Sequence, residues 1–202
     1  MNDTNDKTVF GYEKPFRYNA DWYANIYHHV RKDEELADPG PGQYEDRDTE
    51  CMLAMGIKEN DSILIPGCGG GNNISLLKKT YNNLSIVGFD WSETALGFCR
   101  SVFPDIPFFR SSVEGLSLGD ETFDHIMAFD FTEHLSLVDY VLFLKKTFCL
   151  LRPGGTIGVL PGMTIRPEHI NLIFPLAIAC HLKQMGFDIV TGGKQWIVGG
   201  KP

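Results

Sequence analysis

Long apolar runs are missing from this chain. None approaches the length of a membrane span, and the polar start, Met1–Lys7, has no apolar signal core. Positive charge is scarce: 18 Lys and Arg stand against 26 Asp and Glu, a net charge of −8. That balance weighs against a phosphate-rich partner such as nucleic acid, which needs clustered Lys and Arg. The five cysteines, an odd count scattered at 51, 68, 99, 149 and 180, form neither a metal pattern nor a disulfide framework. The expectation is reduced thiols in a cytoplasmic protein with no metal, no membrane partner and no nucleic-acid partner. Internal repeats and low-complexity segments are also absent. What remains is ordinary globular material, 43% hydrophobic and 22% charged, and 202 residues suffice for one domain with a substantial core.

The glycines gather in one place. Ser62–Leu77 reads as a short apolar strand over Ile63–Ile65, a glycine-rich turn over Gly67–Gly71 and the start of a helix. Glycine has no Cβ, so such a turn reaches positive φ and lets a ligand lie against the backbone. A helix beginning there offers unpaired N–H groups to the same ligand. Nineteen residues after Gly71, closing a second apolar run over Leu84–Asp90, stands Asp90. A carboxylate at that distance is where an α/β nucleotide fold accepts from ribose hydroxyls. Together these features point to a nucleoside-containing cofactor. The competing account is a structural glycine turn in an unrelated α/β protein, and Asp90 and the later segments weigh against it.

The glycine spacing selects among cofactors. A dinucleotide fingerprint requires G-x-G-x-x-G, whereas Gly67, Gly69 and Gly71 give G-x-G-x-G and Asn72 occupies the third dinucleotide position. With this spacing, and Cys68 second, the loop resembles that of the class I S-adenosylmethionine-dependent methyltransferases, a resemblance running from about Ile63 to Pro202. It implies an α/β fold: a seven-stranded Rossmann-like sheet, mostly parallel with an antiparallel last strand, and helices on both faces. It implies S-adenosylmethionine as cofactor, its methionine portion against Gly67–Gly71 with Pro66, Cys68 and Asn72 in the same cradle, and its ribose on Asp90.

Later segments extend the resemblance. Trp91 is positioned to cover one face of adenine, or else is a plain flank aromatic, and Ser92 is a natural N-cap for a helix over Glu93–Val102. Ile106–Leu116 reads as strand three and the loop leaving it. There the family usually places an Asp on the adenine amine; here Ser112 stands in that position, with the Val113 N–H and Glu114 beside it. Phe123–Phe129 reads as strand four. Asp130 and Phe131 follow on the rim facing the methyl group, and Glu133 and His134 are candidates for substrate contact, His134 as general base. The alternative is that Glu133 favours the start of the next helix and His134 packs structurally. Val138–Leu151 reads as a helix stopped by Arg152-Pro-Gly-Gly155, Thr156–Leu160 as strand five, and roughly Pro167–Met185 as helical. Phe187–Val190 and Gln195–Val198, joined by Thr191-Gly-Gly-Lys194, read as an antiparallel pair, which a plain dinucleotide fold does not end on.

Before the glycine loop the chain divides into a tail and helical cap over 1–60, followed by the cofactor-binding domain over 61–202. Tyr12, Phe16, Tyr18, Trp22, Tyr23 and Tyr27 make an aromatic stretch, part of it on a short helix over Asp21–Val30. Two readings stand: a lid, with Tyr18 and Trp22 walling a substrate pocket, or a helix packing its rings on the domain's flank. His28-His29 reads as solvated surface, and Tyr44–Met55 as a helix leading into strand one. One departure from the family is Ile65, two residues before the first glycine, where an acid is usual. Ile65–Gly71 with Val87–Leu96 looks more like the thiol and thiopurine branch, although that branch often has Asp where this chain has Asn73. The resemblance implies in-line methyl transfer to a small-molecule acceptor by a monomer or homodimer. Alternatives are a non-catalytic cofactor-binding protein, a protein methyltransferase, or an NAD-dependent oxidoreductase, the last opposed by Asn72 and the terminal hairpin.

Overall fold

The computed structural model describes residues 45–163 and 169–202. Residues 1–44 hold the aromatic stretch, so the expected lid with Tyr18 and Trp22, the helix over Asp21–Val30 and the His28-His29 pair lie outside the described residues. In chain order the elements are α1 (Glu45–Ala54), β1 (Ser62–Pro66), α2 (Asn72–Thr80), β2 (Ser85–Asp90), α3 (Glu93–Val102), β3 (Phe108–Arg110) and β4 (Phe123–Phe129). A 3-10 turn over Thr132–His134 leads to α4 (Leu137–Leu150), β5 (Leu151–Leu160), α5 (Pro175–Gln184), β6 (Asp188–Gly192) and β7 (Ile197–Gly200).

The seven strands form one sheet in the order β3-β2-β1-β4-β5-β7-β6. β1 pairs in parallel with β2 and β4, β2 with β3, and β4 with β5. β7 runs antiparallel to both β5 and β6, so it alone is reversed. This is the doubly wound sheet with an inverted last strand expected from the sequence. Strand order reverses between β1 and β4, and the crevice outside the carboxyl ends of those strands is where such sheets bind ligands.

Central strands buried on both faces must be apolar throughout. Ile63, Leu64 and Ile65 of β1 are all 0% exposed, so the position where an acid was usual carries a core side chain. Alternation along each strand sends neighbours to opposite cores. Leu64, Ile126 and Ala128 join Tyr140, Phe143 and Leu144 of α4 and Ile178 and Leu182 of α5 on one face. Ile63, Ile65, Met127 and Phe129 join Cys51 and Met52 of α1, Ile74 and Leu77 of α2, and Leu96 and Cys99 of α3 on the other. Thus α1, which precedes residue 60, is built into the core of the sheet. Ser92 caps α3, its hydroxyl accepting from Ala95 N at 3.3 Å, and Ser136 caps α4 by accepting from Asp139 N at 3.1 Å.

Several boundaries differ from the sequence-based expectation. In the terminal hairpin Thr191 and Gly192 belong to β6 and β7 begins only at Ile197, so the turn falls later than Thr191–Lys194. β5 begins at Leu151, so Arg152-Pro-Gly-Gly155 lies inside the strand as a register shift: Phe123 pairs with Leu151 but His125 with Thr156. Gly155 tolerates this because a Cβ there would lie 2.8 Å from the Asp124 carbonyl. Of the helix expected over Pro167–Met185, the described residues from 169 onward are helical only over Pro175–Gln184; Phe174 is extended and Pro175 takes the first helical turn, where its missing N–H costs nothing. No helix of the described residues is long and apolar enough to cross a membrane, and the five cysteines are free thiols.

Candidate functional site

The site is built at the carboxyl ends of β1, β2, β4 and β5. Gly67, Gly69 and Gly71 have φ of 57°, 50° and 86°, all in the left-handed region that favours glycine. Their alternation explains the G-x-G-x-G spacing. Cys68 N donates to the Phe89 carbonyl at 3.0 Å and Gly71 N to the Cys68 carbonyl at 2.8 Å, folding the loop back over the sheet. Gly71 then begins α2 with no side-chain cap, which leaves the first turn of that helix open toward a ligand. A Cβ on Gly67 would run into the ring of Phe131, and one on Gly71 would sit 2.6 Å from Phe103 Cε2. Hydrogen bonding with Cys99, then burial, pushes the Cys68 thiol up, and burial does the same to Cys51. Neither thiol is an available nucleophile near neutral pH.

Asp90 locks this loop from below. One carboxylate oxygen accepts from Gly69 N at 2.9 Å and the other from Ser92 N at 2.9 Å. The residue is 3% exposed; burial pushes its carboxyl up, opposed by the Ser92 and Gly69 amides. Each oxygen keeps a lone pair for a ribose hydroxyl. Trp91 follows on the same edge, 39% exposed. The strand pairing of Asp90 with Arg110, and the bond from Ser111 N to the Asp90 carbonyl at 3.0 Å, bring the next loop alongside. In that loop the Ser112 hydroxyl accepts from Gly115 N at 3.1 Å, Val113 is buried, and Glu114 is exposed. Asp90, Trp91, Ser112 and Val113 thus share one rim.

The second half of the site follows β4. Asp130 N continues the ladder by donating to the Leu160 carbonyl at 2.8 Å, and Asp130 takes the left-handed conformation at φ 46°. Its carboxylate pairs with Arg47 of α1 at 2.6 Å, and Arg47 also donates to Asp48 at 2.9 Å. Burial pushes Asp48 up to about 6; Arg47 opposes this and Asp130 adds to it. Phe131 turns inward. Its ring is edge-on to Phe89 at 6.1 Å and Phe143 at 5.0 Å, so it supports Gly67 from beneath instead of lining the rim's surface.

Glu133 is wholly buried, 0% exposed, and neither carboxyl oxygen has a hydrogen-bond partner among the described residues. Burial, reinforced by the charge of Asp130, pushes its carboxyl up to about 8. The nearby amides of Glu133 and Gly162, which point toward it without a well-aligned hydrogen bond, and Arg47 oppose this. Asn171 N donates to the Glu133 carbonyl at 3.1 Å, tying the segment after β5 to this turn. The Glu133 and His134 side chains approach to 3.8 Å, and the His134 ring meets that of His169 edge-on at 5.0 Å. Sequence reasoning found Asp130, Phe131, Glu133 and His134 but missed Arg47, Asp48, Gly162, His169 and Asn171. No local spacing points to these, since Arg47 and Asp130 are 83 residues apart.

Residues 63–155, from β1 into β5, match the family described as methyltransferase domain. The phthiotriol/phenolphthiotriol dimycocerosates methyltransferase of Mycobacterium tuberculosis is 28% identical over 123 residues, 60% of this chain and 43% of that protein. The trans-aconitate 2-methyltransferase of Escherichia coli O157:H7 is 24% identical over 152 residues, 75% and 55% respectively. The chain therefore spans about half the length of the curated relatives it matches. Among solved structures, the 1,6-didemethyltoxoflavin-N1-methyltransferase of Burkholderia thailandensis, crystallised with S-adenosylhomocysteine, superposes with a TM-score of 0.65. That likeness covers 90% of this chain and 86% of the other at 15% identity, and shows a shared fold.

Proposed function

We propose, from the premise that the chain belongs to the class I S-adenosylmethionine-dependent methyltransferases, that it methylates a small-molecule acceptor at the rim after β4. The observation that carries this reading is the cradle: three left-handed glycines whose loop is fastened through Gly69 N to the buried carboxylate of Asp90. The residues present fit an adenosyl cofactor. The bare backbone of Gly67–Gly71 and the open first turn of α2 would receive a polar amino-acid portion, and Asp90 would accept from ribose hydroxyls. Trp91, Ser112 and Val113, with Glu114 beside them, would flank adenine. Bound there, S-adenosylmethionine supplies an electrophilic methyl on a sulfonium.

The chain's own part is then positioning. Holding acceptor and methyl in a near-attack geometry supplies several kcal/mol of the barrier reduction, with no protein nucleophile required. Asp130, fixed by Arg47, and the Glu133–His134 turn stand where the acceptor enters. His134, partly exposed on that rim, is the base for an acceptor that must lose a proton. Relatives whose names state small-molecule acceptors support this class over a polypeptide acceptor. The test is transfer of label from methyl-tritiated S-adenosylmethionine in a cell extract split into metabolite and polypeptide fractions. Label in the metabolite fraction is expected. Label confined to polypeptide would replace the acceptor class, and no transfer to either would favour a non-catalytic cofactor-binding protein.

A further inference from the structure

We propose that Glu133, His134 and His169 bind one divalent transition-metal ion on the acceptor side of the rim. Their ligand atoms, one carboxyl oxygen and two imidazole nitrogens, all lie within 4.8 Å of one another. The three come from two separate segments, the turn after β4 and the stretch before α5, which the bond from Asn171 N to the Glu133 carbonyl holds together. Glu133 supplies the independent observation. Its side chain is fully buried, both oxygens are without hydrogen-bond partners among the described residues, and it is turned toward His134 at 3.8 Å. A carboxylate sealed from water is stabilised by a cation or a full set of donors, and without them it is held as the neutral acid. The charges beside it are Asp130, which is negative, and Arg47, whose guanidinium is already committed to Asp130 and Asp48.

The pocket depends on a missing side chain. A Cβ at Gly162 would collide with Glu133 Oε1 and sit 2.9 Å from His169 Cε1. Gly162 is not in the left-handed region, so space, not backbone conformation, accounts for a glycine there.

The donor set selects the ion. Two imidazoles and a carboxylate suit zinc, iron(II) or cobalt(II), whereas magnesium and calcium prefer oxygen donors alone. Nitrogen and oxygen ligands sit about 2.0–2.2 Å from a tetrahedral zinc and therefore about 3.3–3.6 Å from one another. Glu133 and His134, at 3.8 Å, are already close to that spacing, and the remaining ligand pairs, within 4.8 Å, close by up to about 1.5 Å through rotation of the half-buried histidine rings. Three protein ligands leave a position open. Resting on the methyltransferase reading, that position would receive an oxygen or sulfur donor of the acceptor and favour its deprotonated form, the proton passing to solvent water, with His134 then acting as a ligand and not as the base.

The test is a cobalt(II) titration of the full chain followed by visible absorption, with zinc competition and with magnesium in excess as a second competitor. One equivalent of cobalt is expected to give d–d bands that zinc abolishes and magnesium leaves unchanged. Glu133→Gln and His169→Ala should each weaken binding at least about tenfold, since loss even of an outer-shell partner costs about 10–100-fold. His181→Ala, on α5 against Tyr140, should not weaken it. Far-ultraviolet circular dichroism of each variant separates ligand loss from unfolding, and His169→Gln gives a second, milder variant. Absence of bands, bands that persist in both Glu133→Gln and His169→Ala, or displacement by magnesium would overturn the site. S-adenosylhomocysteine titration of the same metal-free samples reports on the cofactor cradle alone, so either reading can fail without the other.

Discussion

A single methyl group added at two glycines should act with opposite signs. In Gly67→Ala the new Cβ stands at φ 57° and meets the Phe131 ring. Holding an L-residue in the left-handed region costs about 1–2 kcal/mol. The ring cannot swing clear, because Phe89 and Phe143 hold it edge-on from two sides, and overpacking of that kind costs about 1–3 kcal/mol. The expected loss is therefore roughly 2–5 kcal/mol, a large share of a typical domain's stability of about 5–15 kcal/mol. In Gly97→Ala, on the exposed side of α3, the new Cβ meets nothing within 4 Å. Relief of glycine's backbone entropy in a helix should stabilise it by about 0.5–1 kcal/mol. Urea unfolding of both variants beside the parent reads the difference as opposite shifts of midpoint at unchanged slope. If Gly67→Ala unfolds within about 0.5 kcal/mol of the parent, the range of an unremarkable surface change, the argument that this loop is conformationally and sterically locked is refuted.

Three further outcomes follow from the same geometry. Asp90→Asn keeps the shape but turns an amide NH2 toward Gly69 N or Ser92 N, so one buried N–H loses its partner; a loss of about 1–3 kcal/mol in urea unfolding is expected, with weaker S-adenosylhomocysteine binding by calorimetry. Asp48, raised from 3.8 to about 6, binds its proton more tightly folded than unfolded, so its contribution to stability grows as pH falls from about 6 toward 3.8. Unfolding free energy measured across that window should lose this component in Asp48→Asn. Asp124 has the reverse sign: burial raises it, but the Ser62 amide and hydroxyl and Arg152 together pull it below the usual carboxylate range. Its stabilisation is present above the ordinary value of 3.8 and is lost as pH falls through the depressed one, so Arg152→Ala should unfold at higher pH in an acid titration.

The parts of this molecule that were legible in the sequence are those whose cause is local. β1, β2 and β4 announce themselves as apolar runs, and the Gly67–Gly71 loop announces its left-handed turns because only glycine serves there. Ser92 caps its helix by chemistry confined to one turn. The β6–β7 pair was legible from the glycines between two short apolar runs. What was illegible depends on approach in space. Pro153-Gly-Gly155 looks like a terminator, yet pairing with β4 carries the strand straight through it as an irregularity of register. The apolar stretch before Pro175 has helical composition, but Phe174 stays extended and the helix waits for the proline. Arg47 could not be connected to Asp130, nor His169 to Glu133, because each pair is joined only when α1 and the segment after β5 fold over the carboxyl edge of the sheet. Glu133 itself was legible as a rim residue. Its complete burial was not, since the residues packed against it, Gly162 among them, come from beyond β5.

The central claim is that the Gly67–Gly71 loop and Asp90 hold an adenosyl cofactor. Isothermal titration of the full chain with S-adenosylhomocysteine and, in parallel, with NAD tests it most directly. The account predicts one S-adenosylhomocysteine per chain, no heat with NAD, and binding lost or strongly weakened in Gly67→Ala at a temperature where that variant stays folded. Binding of NAD alone, or S-adenosylhomocysteine binding indifferent to both Gly67→Ala and Asp90→Asn, would contradict it.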